Sequence, residues 1–206
     1  MKMNVGIFGG TFDPVHLGHI EVAAYAKSDL NLDKVIFVPA GCPQLKPARP
    51  ATTGLQRLEM VKMAIENEEM FDASDIEITR KGPTFTIDTI KEIKDIYPSR
   101  TRLWLIVGAD AFREFNKWEN YQEILNLSRV CVVRREGNIQ VKDEFNHLKK
   151  LVFEHNVVFI NKITQKISSS KIKEIIRKKQ VAKKYLNPKV HDYIVRNGLY
   201  RTVKDT

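Results

Sequence analysis

The chain has 206 residues, 43% of them hydrophobic, enough to bury one substantial core as a single domain or a domain with a small appended part. Its 34 Lys and Arg against 25 Asp and Glu leave a net charge of +9, which suits polyanionic partners, although no interleaving of aromatic and basic residues marks a single-strand binder. Two cysteines without a Cys-x-x-Cys pair argue against a disulfide scaffold, and the lack of a membrane-length apolar run argues against a membrane span.

In chain order, short β-branched runs alternate with stretches of helical period. Residues 5–8 predict a first strand and 19–30 a helix; 34–38 predict a second strand and 55–67 a helix. A third strand is expected at 76–79, followed by a helix over 86–97. Strands at 103–107 and 130–133 flank a helix at 121–127. A helix over 143–153, a strand at 157–159 and helices at 169–177 and 189–197 complete the series. The alternation argues an α/β fold, a Rossmann-like doubly wound parallel sheet with helices on both faces. Residues 168–206 are expected as a small C-terminal helical part of one domain over 1–206. Ligands of such sheets bind beyond the carboxyl ends of the strands, where Gly9, Pro39 and Gly108 fall. The chain enters its first strand without a charged leader and apolar run, so a cytoplasmic location is expected.

Gly9-Gly10-Thr11-Phe12-Asp13-Pro14-Val15-His16-Leu17-Gly18-His19 carries the most chemistry. It follows the apolar Val5-Gly6-Ile7-Phe8 and reads as a strand ending in a glycine turn that opens into a helix. Backbone N–H groups and two imidazoles therefore converge on one helix N-terminus, where the macrodipole favours anions. Gly9 and Gly10 can take positive φ and approach a phosphate without a Cβ in the way. Thr11 offers a hydroxyl as well as an N–H, Asp13-Pro14 is a turn signal, and Pro14 is pre-set for the approach to a helix. His16 and His19 stand three apart and share one helix face. A metal pair and a purely structural turn remain alternatives, but no His-Glu-x-x-His and no further Cys or His cluster supports the metal. Neither Gly-x-Gly-x-x-Gly nor a P-loop is present.

Further along, Ile167-Ser168-Ser169-Ser170-Lys171-Ile172-Lys173 reads as an N-cap and first helical turn, placing hydroxyls and N–H groups where an anion would bind. A capped surface helix burying Ile172, Ile175 and Ile176 is the alternative. Between residues 39 and 54, Pro39, Pro43, Pro47 and Pro50 predict a loop over the site, and its Lys46 could close over a triphosphate as a point charge. Gly108 at a strand end permits close approach, while Asp110 could accept hydrogen bonds from ribose hydroxyls or cap a helix. Trp118 lies in the polar stretch Asn116-Lys117-Trp118-Glu119-Asn120, which suits ring stacking as well as half-buried packing.

The first motif resembles the signature of the nucleotidyltransferases that share an α/β phosphodiesterase-type fold, and the serine motif resembles their second signature, in the expected order. Within that superfamily, Gly82-Pro83-Thr84-Phe85-Thr86-Ile87-Asp88-Thr89 and Leu105-Ile106-Val107-Gly108-Ala109-Asp110-Ala111-Phe112, followed by Lys117-Trp118, resemble the bacterial nicotinate-nucleotide adenylyltransferases. The likeness runs over residues 5–134 and 167–200; residues 136–165 carry no readable motif. It implies transfer of the adenylyl group of ATP to nicotinate mononucleotide, giving deamido-NAD and pyrophosphate in NAD biosynthesis.

The resemblance further implies that His16, His19 and Lys46 are catalytic. ATP would be held by Gly9, Gly10, Thr11, Phe12, His16, His19, Gly108, Asp110, Ile167, Ser168, Ser169 and Lys173. Nicotinate mononucleotide would be held by Lys46, Thr86, Asp88, Trp118 and Arg134. Mg2+ would arrive with ATP, with no ligand from a protein side chain. The implied partners are these two substrates, without nucleic acid or membrane, and a homo-oligomer stays open. Two positions depart from the family pattern. Leu45 stands where the loop motif usually has histidine, and Lys173 stands where the second motif usually has arginine, so charge survives there but the bidentate fork does not. Phosphopantetheine adenylyltransferases and cytidylyltransferases share the first motif, and a catalytically weak nucleotide- or RNA-binding protein is the alternative from another class.

Overall fold

The computed structural model describes residues 3–42, 50–134, 148, 151–152, 157–162 and 167–201. Six strands, β1 (Asn4–Gly10), β2 (Lys34–Pro39), β3 (Phe71–Ala73), β4 (Arg102–Gly108), β5 (Arg129–Arg134) and β6 (Val157–Asn161), form one sheet in the order β3-β2-β1-β4-β5-β6. Every pairing is parallel. From β1 the chain winds outward through β2 and β3, then crosses to the other side of β1 and winds out through β4 to β6. The connections leaving β1 and β4 therefore diverge, and a crevice opens between them at the carboxyl ends of the strands.

The helices are α1 (Leu17–Leu30), α2 (Gly54–Ile65), α3 (Ile76–Thr79), α4 (Thr86–Ile96), α5 (Ala109–Phe112), α6 (Tyr121–Leu127), α7 (Ser169–Arg177) and α8 (Pro188–Arg196). Strand side chains alternate between two apolar layers. Phe8, Phe37, Trp104, Ile106, Cys131 and Val133 pack against α1, α2, α7 and α8, while Val5, Ile7, Val38, Leu105, Val107 and Val132 pack against α4, α5 and α6. Covering both faces explains why the strands read as unbroken apolar runs. The C-terminal helices share in this packing: Ile172, Val190, Ile194 and Tyr200 belong to the same cluster as Phe8 and Phe37. Burying each such large side chain contributes about 1.5–3 kcal/mol. Among the described residues no helix is long and apolar enough to cross a membrane.

Residues 76–79, expected as a strand, form the helical turn α3. Their apolar-polar alternation is set by Glu77, which is buried for its hydrogen bonds rather than exposed on a sheet face. The edge strand is β3 instead, three residues long with Phe71 opposite Val35 and Ala73 opposite Phe37, too short to show a period. The helix expected over 143–153 lies mostly outside the described residues. α2 starts where the spacing predicts because Thr53 and Gln56 cap reciprocally: Gln56 N–H donates to Thr53 Oγ1 at 3.2 Å and Thr53 N–H to Gln56 Oε1 at 3.0 Å.

Candidate active site

β1 and β4 lie side by side with Phe8 opposite Ile106, so Gly9-Gly10 and Gly108 end next to each other at the crevice. A Cβ on Gly9 or Gly108 would meet nothing within 4 Å, and both face open space. At Gly10 a Cβ would stand 2.8 Å from the Phe12 ring, so this position has room only for glycine. The positive φ expected at Gly9 and Gly10 occurs at Phe12 instead, at 50°. Its ring is sealed between Phe8, Phe37 and His19, and packing holds the backbone in a region that bulky residues seldom adopt.

His16 is the residue at which α1 begins, with φ −145° and ψ 168°. Its backbone N–H donates to His19 Nδ1 at 3.2 Å, which makes that nitrogen an acceptor and leaves the ring proton on Nε2. The two imidazoles stack with centroids 3.7 Å apart, and Phe12 meets His19 edge-on at 5.1 Å. The His19 ring thus lies in the first turn of α1, where the His19 amide already donates to the His16 carbonyl at 2.8 Å and the Leu17 and Gly18 amides precede the helical ladder.

Asp13, read from sequence as a turn former, is the hub beneath this loop. It is 2% exposed; Oδ1 accepts from Thr52 Oγ1 at 2.7 Å and the Tyr200 hydroxyl at 2.9 Å, and Oδ2 accepts from the Ala51 N–H and Lys173 Nζ, each at 2.9 Å. Burial works to raise its pKa, but the hydrogen bonds from Thr52, Ala51 and Lys173, with the lysine charge, outweigh burial and hold the carboxyl below its ordinary value. Arg57, fully buried in α2, donates to the Thr11 carbonyl at 2.9 Å. Burial lowers its pKa, against the opposing charges of Asp13, Tyr200 and Glu77.

Glu77 ties the loop after β2 to α4. Its carboxylate accepts from Thr89 Oγ1 at 2.8 Å and from the Gly41 N–H at 3.4 Å. A Cβ on Gly41 would fall 1.8 Å from the Glu77 carbonyl oxygen, so only glycine allows this approach. Cys42 N–H donates to Thr84 Oγ1 at 3.3 Å and that hydroxyl donates to the Cys42 carbonyl at 3.2 Å, close to where Thr86 opens α4 and Asp88 lies in its first turn.

The serine motif lands on the glycine motif. Ser168 caps α7 by accepting from the Lys171 N–H at 3.2 Å, Ile167 is buried beneath it, and Ser169 Oγ donates to the Pro14 carbonyl at 2.9 Å. Together with Lys173 on Asp13, these contacts join segments 155 and 160 residues apart.

Residues 7–175 match the Cytidylyltransferase-like family model. A Thermoanaerobacter sp. protein named "Probable nicotinate-nucleotide adenylyltransferase" is 40% identical over 204 residues, covering 97% of this chain and 95% of its own. A Desulfitobacterium hafniense protein of the same name is 38% identical over 202 residues, covering 96% of this chain and 95% of its own. This chain belongs to the nicotinate-nucleotide adenylyltransferase family. The fold is that of the Plasmodium falciparum nicotinic acid mononucleotide adenylyltransferase complexed with NaAD, at TM-score 0.76 and 23% identity over 96% of this chain and 97% of that one. The same Plasmodium enzyme complexed with APC gives TM-score 0.74.

Around the crevice of this family member, the structure gathers Gly9, Gly10, Thr11, Phe12, His16, His19, Ser169 and Lys173 into one neighbourhood through the Asp13 hub. Arg134 ends β5, buried, one residue beyond the partner of Gly108. Asp110 lies in the first turn of α5 with its side chain 84% exposed and paired to Arg113 at 2.5 Å. Trp118 is half-buried with its ring 5.2 Å from Phe115, and its Nε1 is inaccessible without a hydrogen-bond partner. Lys46 and Leu45 lie outside the described residues. Sequence reasoning missed Thr52, Arg57, Glu77 and Tyr200 as parts of the site's support. Arg57 alone left a trace: it falls on the buried stripe of α2 with Met60 and Val61, a charged residue on an apolar face.

Proposed function

We infer that the protein transfers the adenylyl group of ATP to the 5′-phosphate of nicotinate mononucleotide, forming deamido-NAD and releasing pyrophosphate, a step of NAD biosynthesis that this reading expects in the cytoplasm. The observation that carries this is the joining of the glycine-histidine loop to the α7 N-terminus, through Ser169 on Pro14 and Lys173 on Asp13, in a chain of this family. In the reaction a phosphate oxygen of the mononucleotide forms a bond to the α-phosphorus of ATP, and the bond from that phosphorus to the oxygen leading to the β-phosphate breaks. The attacking group is already an anion, so the chain need supply no nucleophile, and catalysis is positioning and charge stabilisation.

This reading gives each residue a role. His19, with its proton on Nε2, donates to an α-phosphate oxygen as charge builds there. His16 and the first-turn amides of α1, with Ser168 and Ser169 at α7, hold the phosphates. Gly9 and Gly108 leave room for the nucleotide, and Asp110 meets the ribose. Lys46 and Lys173 balance the departing pyrophosphate. The Trp118 face takes the pyridine ring, with Thr86 and Asp88 at the α4 N-terminus and Arg134 beside the mononucleotide's anionic groups.

Among the described residues, no group of three or more His, Cys, Asp and Glu side chains could hold a metal ion. The Asp13 oxygens already accept four hydrogen bonds, so this reading has magnesium held by ATP's own oxygens and water. Magnesium on the nucleotide would neutralise part of the phosphate charge.

The test is turnover. Purified protein with magnesium, ATP and nicotinate mononucleotide forms deamido-NAD and pyrophosphate, much faster than with nicotinamide mononucleotide or phosphopantetheine as acceptor. Equal or better turnover of phosphopantetheine overturns the reading.

A further inference from the structure

At the end of the sheet opposite the crevice, a cleft of about 670 Å³ is lined by Ser99, Arg100, Thr101, Arg102, Asn126 and Arg129, among others. That is ample room for a nucleotide-sized molecule. Arg102 begins β4 and Arg129 begins β5, so the two cations sit on neighbouring strand starts. We propose that this cleft is a second binding site, which takes the phosphate groups of a small anionic ligand.

Some arginines are engaged, Arg57 with the Thr11 carbonyl, Arg80 with Glu92 and Arg113 with Asp110, while among the described residues the side chains of Arg177, Arg196 and Arg201 make no hydrogen bond or ion pair but line no shared cleft with one another. Among the described residues, no hydrogen bond or ion pair is made by the side chains of Arg100, Arg102 or Arg129. Three like charges converging on one cleft repel one another, and an anion between them removes that cost. Guanidinium groups hold phosphate oxygens two at a time, which a lysine cannot do. Arg129 is held ready, because its guanidinium lies 5.4 Å over the Trp104 ring, the residue opposite it in the strand register. Thr101 lines the cleft as well, with a hydroxyl that has no hydrogen-bond partner and is inaccessible as the cleft stands.

β4 runs from Arg102 to Gly108, and at about 3.3 Å per residue its two ends are roughly 20 Å apart. The cleft is therefore separate from the crevice. It is a single notch, which favours a free phosphorylated molecule over a nucleic-acid strand, whose backbone needs a continuous basic track.

The chain carries its own pair of reporters, since its two tryptophans lie one beside each place: Trp104 under Arg129 and Trp118 near the crevice. With isotope-labelled indole nitrogens, inorganic tripolyphosphate titrated into the full-length protein should shift the Trp104 indole signal saturably. In the double variant Arg102→Gln and Arg129→Gln the affinity read at Trp104 should fall by about tenfold or more, the loss of at least one charge-assisted hydrogen bond. The Trp118 signal and the rate of deamido-NAD formation should stay as in the parent, which also certifies the fold. A Trp104 signal that does not move, or moves equally in the double variant, overturns the proposal and leaves the arginines as a solvated face. A response to a single-stranded oligonucleotide but not to tripolyphosphate overturns it in favour of nucleic acid. Absence of deamido-NAD formation in the parent would sink the proposed reaction and not the cleft, because the Trp104 titration needs no turnover.

Discussion

The hydroxyl of Tyr200 donates to Oδ1 of Asp13 at 2.9 Å, a contact between residues 187 apart in the chain. Tyr200 makes it with φ at 66°, a left-handed conformation that costs a bulky residue about 1–3 kcal/mol. The phenol is buried, and what offsets the strain is a hydrogen bond to a buried carboxylate at the base of the glycine-histidine loop.

Tyr200→Phe removes that hydrogen bond and little else. Bonds to charged groups contribute about 1.5–3 kcal/mol, so the urea midpoint of unfolding should fall by a corresponding amount with an unchanged slope. A loss below about 0.5 kcal/mol would show that Thr52, Ala51 and Lys173 satisfy Asp13 on their own.

The same pair predicts two limbs of pH dependence. The Asp13 pKa is lowered by folding, so its contribution is present above about pH 4 and is lost as pH falls through the folded value. The Tyr200 pKa is raised, by burial first and then by the charge of Asp13. Its contribution is therefore present below about pH 10 and is lost as pH rises beyond that. Melting temperature measured against pH should show both declines, and Tyr200→Phe should flatten the alkaline one. An alkaline limb identical in the variant would place its origin elsewhere.

For His19 the capping contact and the proposed catalytic role can be tested apart. Nδ1 accepts from the His16 N–H and starts the helix, while the proposed reaction uses the ring's other nitrogen. His19→Ala should lower kcat by about 10²-fold or more, with a smaller change in KM for ATP. His19→Asn keeps an acceptor near the Nδ1 position and should recover stability without recovering kcat. Recovery of kcat by asparagine would make the residue a cap and not a catalyst.

Lys173 offers a sharper test than its charge alone suggests, because its ammonium lies 2.9 Å from Asp13. Lys173→Ala takes a donor from a buried carboxylate and should move the acid unfolding midpoint to higher pH; Lys173→Arg should keep it near the parent. KM for ATP should rise with alanine if the ammonium also meets phosphate. An acid midpoint unmoved by alanine would show that the ion pair with Asp13 contributes nothing in solution.

Trp118→Ala should raise KM for nicotinate mononucleotide and leave KM for ATP nearly alone, with a loss of about 1–3 kcal/mol, the scale of a stacked base. Lower thermal stability with unchanged kinetics would assign the ring to packing on Phe115.

Much of this was legible because it is local. The β1 turn, the spacing of His16 and His19, and the serine cap of α7 are short-range patterns whose geometry follows from helix and strand periods. The six-strand parallel sheet follows from the same alternation. β3 was not legible, because three residues carry no period, and α3 was misread because one buried carboxylate imitates strand alternation. The role of Asp13 was hidden for a different reason. Its four donors come from residues 51, 52, 173 and 200, and no window of sequence contains them together. Glu77 belongs to that class too, whereas Arg57 left one trace, a charge on the apolar stripe of α2.

A consequence of the Asp13 hub lies in the direction of synthesis. The glycine-histidine loop leaves the ribosome 160 residues ahead of Lys173 and 187 ahead of Tyr200, so its carboxylate receives those two donors long after the loop itself is made. Until then the glycine-histidine loop exists as sequence without its supports, and a nascent or prematurely terminated chain carries the full first motif over an incompletely neutralised aspartate. Maturation of the loop is thus timed by residues made long after it, and loss of the segment carrying Lys173 and Tyr200 would reach back to the residues around Asp13.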